Sequence, residues 1–249
     1  MFSASVLAAG SHLENGIAFQ KAGKLHEADR EFRFAVAELQ TAGSRPDLVK
    51  ALSIESWISV SLGNYSGAIQ FASQAVQLRH VLHDEKHVAD DLNTLALAYQ
   101  NLGKYGLALD YFGQALRSDR AASDAEGEIT RLNNIGAVYY FEGRYVDALN
   151  SYEQAKSKVD STALEPWNPR RRQLTLANLA AVYQRLGKEE TALDVYRQVT
   201  ASPHAMPPRE RAQLLLNQGA ISTQWNITAT AKSAHCEILA SRAPSIWAI

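Results

Sequence analysis

Leu132-Asn133-Asn134-Ile135-Gly136-Ala137-Val138-Tyr139-Tyr140-Phe141-Glu142-Gly143-Arg144-Tyr145-Val146-Asp147-Ala148-Leu149-Asn150-Ser151-Tyr152-Glu153-Gln154-Ala155 reads as a helix, a tight break at Gly143 and a second helix. Leu132, Ile135, Gly136 and Tyr139 follow at steps of 3, 1 and 3, the spacing of one helical face. Past the break, Ala148, Tyr152 and Ala155 continue at steps of 4 and 3. Small residues alternate with large ones, so a ridge on one helix can settle into a groove on the other.

The break recurs. Glycines stand at Gly23, Gly63, Gly103 and Gly143, 40 residues apart, and at Gly187 after an interval of 44. Five residues after each comes an alanine: Ala28, Ala68, Ala108, Ala148 and Ala192. Four further on stand Phe32, Ala72, Phe112, Tyr152 and Tyr196, and seven before each glycine stand Gly16, Ser56, Ala96, Gly136 and Ala180. A hairpin of this kind cannot bury its apolar face alone, so neighbouring units must stack. Connections carry helix-start residues: Arg45-Pro46-Asp47, Asp84-Glu85, Ser123-Asp124, Pro166-Trp167-Asn168-Pro169 and Pro207-Pro208-Arg209-Glu210.

This in-phase series resembles the tetratricopeptide repeat family, and its 40-residue period is similar to the long repeats of kinesin light chains and of many bacterial arrays. The minimal repeat of that family is about 34 residues, which leaves about six extra per unit. The resemblance implies an all-α, right-handed superhelical α-α solenoid of about six hairpins. Its repeats fall near 9–42, 47–82, 87–121, 127–160, 171–201 and 209–240, with a tail at 241–249, in one domain over 1–249. The sixth repeat is eroded: Asn226 replaces the glycine, and His235 and Ile238 stand where an aromatic residue and an alanine are expected. The first is atypical, with His12 at a position that is usually large and apolar, which suits a cap.

Composition excludes several classes of function. A net charge of −1 gives no general drive toward nucleic acid or an anionic membrane. The lone Cys236 rules out an intramolecular disulfide framework and fits a reducing, cytoplasmic setting. No apolar run reaches the length of a membrane span, and the apolar start lacks the basic segment of a signal peptide. No phosphate loop, metalloprotease helix or nucleophile elbow occurs. His235 and Cys236 are sequence neighbours and would point about 100° apart on a helix. The chain is therefore expected to be neither an enzyme nor a cofactor carrier. His80, His83 and His87 could line one face of a continuous helix as zinc ligands, but they lie at a connection.

The resemblance implies that the first helix of each hairpin lines a concave wall. Its residues should be Asp90, Asn93, Leu97 and Gln100; Thr130, Asn133, Ala137 and Tyr140; Leu174, Asn178, Ala181 and Gln184; and Gln213, Asn217, Ala220 and Thr223. Asparagine recurs at Asn93, Asn133, Asn134, Asn178 and Asn217. Its amide is both donor and acceptor, and it disfavours helix interiors, so this placement asks for a reason. Kinesin-light-chain-like repeats carry asparagine at the same two steps in contact with bound peptide. The alternative is that these amides bond neighbouring helices and hold the stack. Asn93, Asn133, Asn134, Tyr140, Asn178 and Asn217 are the candidate peptide-binding residues, with Trp57 as a further apolar anchor. The family's carboxylate-clamping subtype needs basic residues where this chain has Asn, Ala, Leu and Gln, and is not expected. Arg170-Arg171-Arg172 reads as a solvated helix start or an acid-attracting rim.

A protein or peptide partner in the groove is the leading expectation. Two others remain: a regulatory module of a larger bacterial polypeptide with a downstream effector domain, and a homo-oligomer formed through the apolar C-terminal end around Trp247.

Overall fold

The computed structural model describes residues 2–162 and 168–200, and among them there are ten helices and no strand. They are α1 Phe2–Lys21, α2 Leu25–Ala42, α3 Arg45–Ser61, α4 Tyr65–Leu82, α5 Glu85–Asn101, α6 Tyr105–Ala121, α7 Ala125–Phe141, α8 Tyr145–Ser161, α9 Asn168–Arg185 and α10 Glu189–Thr200. The first hairpin starts earlier than the repeat pattern indicates, at Phe2. The sixth repeat and the tail lie outside the described residues, and so do Asn217, Cys236 and Trp247. No helix among the described residues is long and apolar enough to cross a membrane.

Every repeat glycine does one job. Gly23, Gly63, Gly103, Gly143 and Gly187 have φ between +69° and +77°, the left-handed region that a Cβ disfavours. The chain turns there and closes the helix end: Lys24 N donates to Phe19 O at 2.9 Å, Asn64 N to Ser59 O at 2.8 Å and Lys104 N to Tyr99 O at 2.9 Å. This is the bonding that satisfies the last carbonyls of a helix. Helix starts also follow from sequence. Asn64 accepts from Gly67 N at 3.1 Å and Asp124 from Gly127 N at 3.0 Å, each satisfying an orphan donor. Pro46 sits in the first turn of α3, where no donor is needed.

A second set of left-handed residues, at Gly43 (φ 74°), His83 (φ 55°) and Ser123 (φ 57°), ends α2, α4 and α6. These also recur every 40 residues, but glycine survives at only the first. That substitution hid the second break in the sequence.

The described residues fall into two compact units, divided between Gly143 and Arg144. In the first, each helix from α1 to α7 packs on the next, and α3 also approaches α5, and α5 approaches α7. Its core is built from small residues set against large ones. Ala28, Phe32 and Ile58 form one cluster; Ala96, Ala108, Phe112 and Val138 form another. At Gly16 a Cβ would meet the Phe32 ring at 2.8 Å. Tyr99 and Tyr111 stack with centroids 5.4 Å apart. His12, at the capping repeat, bonds Glu31 at 2.7 Å and lies against the Phe34 ring. In the second unit α8 packs on α9 and α9 on α10. There Ala148, Tyr152, Ala155, Leu179, Ala192 and Tyr196 are buried.

Candidate binding face

Helix α5 approaches both α3 and α7, and each of the three presents one stripe that its neighbours do not cover. On α3 it holds Lys50 and Trp57, the latter 45% exposed. On α5 it holds Asp90, Asn93 and Leu97, and on α7 Thr130, Asn134, Ala137 and Phe141. Phe141 is 63% exposed, and the half-buried Tyr140 meets it edge to face at 6.1 Å. In the second unit, the corresponding stripe of α9 carries the exposed Leu174 and Gln184 and the half-buried Asn178 and Ala181.

The asparagines separate. Asn134 Nδ2 donates to Asn93 Oδ1 at 2.8 Å, joining α7 to α5 across 41 residues of sequence. Both side chains are half-buried. The bond takes one hydrogen from one amide and one lone pair from the other. Asn93 Nδ2 and Asn134 Oδ1 then remain as a donor and an acceptor side by side. Asn133 is placed differently from the expected wall. It is 3% exposed, and its Nδ2 donates to Ile129 O at 2.9 Å, one turn back. One position along a helix is a rotation of about 100°, enough to carry Asn133 off the open stripe that Asn134 occupies.

Beneath the stripe lies a charged layer that was not singled out from sequence. Arg79 reaches from α4 to Asp91 on α5, to Asp84 at 2.5 Å and to Ser53 Oγ at 2.9 Å. Arg131 on α7 lies 3.1 Å from Asp119 on α6 and bonds the exposed Asp90 at 2.6 Å. Burial pushes the Asp91 carboxyl up, and it pushes Asp119 up to about 6 against the pull of Arg131. Glu55, fully buried on α3, is raised to about 8, first by burial and then by the Asp29 carboxylate; Arg33 and Ser59 pull the other way. The matching positions of the third, fourth and fifth repeats are Leu95, Ile135 and Leu179, and that of the first is Asn15.

The remaining candidates sit at the edges. His83 is the left-handed residue that ends α4, so His80 and His87 lie on different helices. His87 pairs with Asp84 at 2.7 Å. No group of three potential metal ligands occurs among the described residues. Arg172 bonds Asp160 at 2.6 Å on the surface of the second unit.

Models of the tetratricopeptide repeat match residues 87–157 and 175–210. No curated protein matches the chain. Among solved structures, BtubC from P. vanneervenii superposes with a TM-score of 0.67 at 20% identity, covering 83% of this chain and 92% of that one. A putative kinesin light chain of Podosopora anserina with nearly identical repeats gives 0.65 at 21% identity, over 77% and 92%. A Rap protein complexed with Competence and Sporulation Factor gives 0.66 at 16% identity, over 78% of this chain and 54% of that one. This chain therefore spans about half the length of the Rap protein. The five left-handed glycines and the hairpins they close agree with these matches: the chain carries tetratricopeptide repeats over residues 87–157 and 175–210, on a helical-repeat fold shared with these structures.

Proposed function

We propose that the chain is a non-enzymatic interaction module that seats an extended protein segment on the face formed by α3, α5 and α7; Asn178 on α9 is proposed separately, as a contact of the second unit. The observation that carries this reading is the Asn93–Asn134 bond. It holds two amides with a donor and an acceptor side by side, the complement of one peptide unit. Trp57, Leu97 and Phe141 on the same stripes supply apolar contact for side chains of the segment. The Rap structure, complexed with its factor, is a case in which a related fold holds a partner.

The test begins with selection of peptides on the full chain from a random display library. A selected peptide is then titrated against the parent, Asn93→Ala with Asn134→Ala, Trp57→Ala, and Asn178→Ala. Loss of two amide contacts should weaken binding roughly 10- to 100-fold, with helicity and melting temperature retained. Failure to select any peptide, or full affinity in the double variant, overturns the reading. Loss of helicity in step with binding would assign the amides to the stack instead.

A further inference from the structure

Counting from the repeat glycines exposes a pattern in the charged layer. Sixteen residues after each of the first four glycines stand Leu39, Arg79, Asp119 and Val159; twelve before the next stand Ala51, Asp91, Arg131 and Thr175. These two positions meet at the first three junctions between repeats. At the first junction both are apolar and share a core cluster. At the second they are Arg79 and Asp91, paired through Nε and Oδ2. At the third the charges are reversed, Asp119 and Arg131, with Nε and Oδ2 3.1 Å apart. In the second unit Val159 and Thr175 are both buried.

Each charged pair is built into its surroundings. None of the four residues is more than 7% exposed. Arg79 is held further by Asp84 and Ser53, and Arg131 by Asp90. The seat of Asp119 exists because residue 127 is glycine, since a Cβ there would lie 2.6 Å from Asp119 Cγ. At the second junction, the equivalent residue is His87, which turns to Asp84 instead.

A buried ion pair contributes little net stability over an apolar pair, but a buried charge facing its own sign is strongly penalised. Two consecutive junctions of opposite polarity therefore discriminate between neighbours. We infer that the Arg79–Asp91 and Asp119–Arg131 pairs fix the order of the repeats, so that neither a repeat of the same chain nor one from a second copy can occupy its neighbour's place. Stacking the second repeat directly on the fourth would set Arg79 against Arg131, and inserting a duplicate third repeat would set Asp119 against Asp91.

Removal of residues 84–123, one complete 40-residue repeat, tests this directly. The splice keeps the helix turn, because Asp124 takes the place of Asp84. Thermal unfolding by circular dichroism should show the shortened chain melting at least roughly 10 °C below the parent. Arg131→Asp in the shortened chain, which restores an Arg–Asp junction, should recover most of that difference. In the full chain, Arg79→Asp and Asp91→Arg should each lower the melting temperature, and the two together should restore it. A shortened chain as stable as the parent overturns the inference. So does a shortened chain that Arg131→Asp fails to rescue, or a double exchange no more stable than its single variants.

Discussion

Single residues carry opposite consequences under the same backbone geometry. Ser123 and Gly143 share a left-handed φ, 57° and 75°. A Cβ in that region costs about 1–2 kcal/mol. Ser123→Gly should therefore stabilise the chain by about 0.5–1 kcal/mol after the added freedom of the unfolded chain, and Gly143→Ala should destabilise it by about 1–2 kcal/mol. Urea titration of the two variants reads both signs. Glu55 makes a prediction in pH. Its folded value of about 8 lies above the ordinary 4.5. The folded chain keeps this proton between those values while the unfolded chain releases it, so stability rises as pH falls from 8 toward 4.5. Asp119 acts with the same sign between 6 and 3.8. Glu55→Gln should flatten the upper window and be more stable than the parent at pH 9, by on the order of 3 kcal/mol. A Glu55→Gln chain less stable there than the parent would show that the carboxylate is welcome where it lies. The glycines were legible in sequence because no other residue takes their conformation cheaply. Ser123, His83 and Glu55 were not, because each occupies a place whose usual chemistry another residue would signal.

Helices and their junctions were legible in proportion to how local their causes are. The break, the caps and the alternation of small and large residues act within one hairpin, so spacing alone placed the five glycine turns. The junctions depend on residues that touch across two helices of different repeats. Arg79 and Asp119 look like ordinary charges on amphipathic helices until they are placed at equal distance from their glycines. Two helical glycines separate these effects. Gly113, inside α6, would place a new Cβ no closer than 3.7 Å to the flexible end of Arg117. Gly113→Ala should stabilise by about 0.5–1 kcal/mol through helix propensity. Gly127→Ala gains the same propensity, but its Cβ would meet Asp119 and Asp124 side-chain atoms at 2.6–2.7 Å. The net change should be a loss of about 1–3 kcal/mol as the buried carboxylate is displaced. Equal effects of the two alanines in a denaturant titration would mean that Asp119 shifts without cost.

At the scale of the molecule, the repeat architecture was readable because one physical solution recurs five times, and recurrence turns a weak signal into a strong one. The candidate binding face was readable only as a phase. Asp90, Asn93, Leu97, Thr130, Ala137, Asn178 and Ala181 lie on the open stripes, but the stripe on α7 passes through Asn134 and excludes Asn133. Adjacent identical residues gave the sequence no means of choosing between them; their different rotations about the helix axis did. The alternating polarity of the junctions bears on descent. Tandem repeats grow and shrink by unequal exchange between similar stretches of a gene. Exchange across the middle of this array would delete or duplicate the third repeat and bring like charges together, so such products should be lost. Exchange at the apolar first junction carries no such penalty, and variation in repeat number among descendants should gather there.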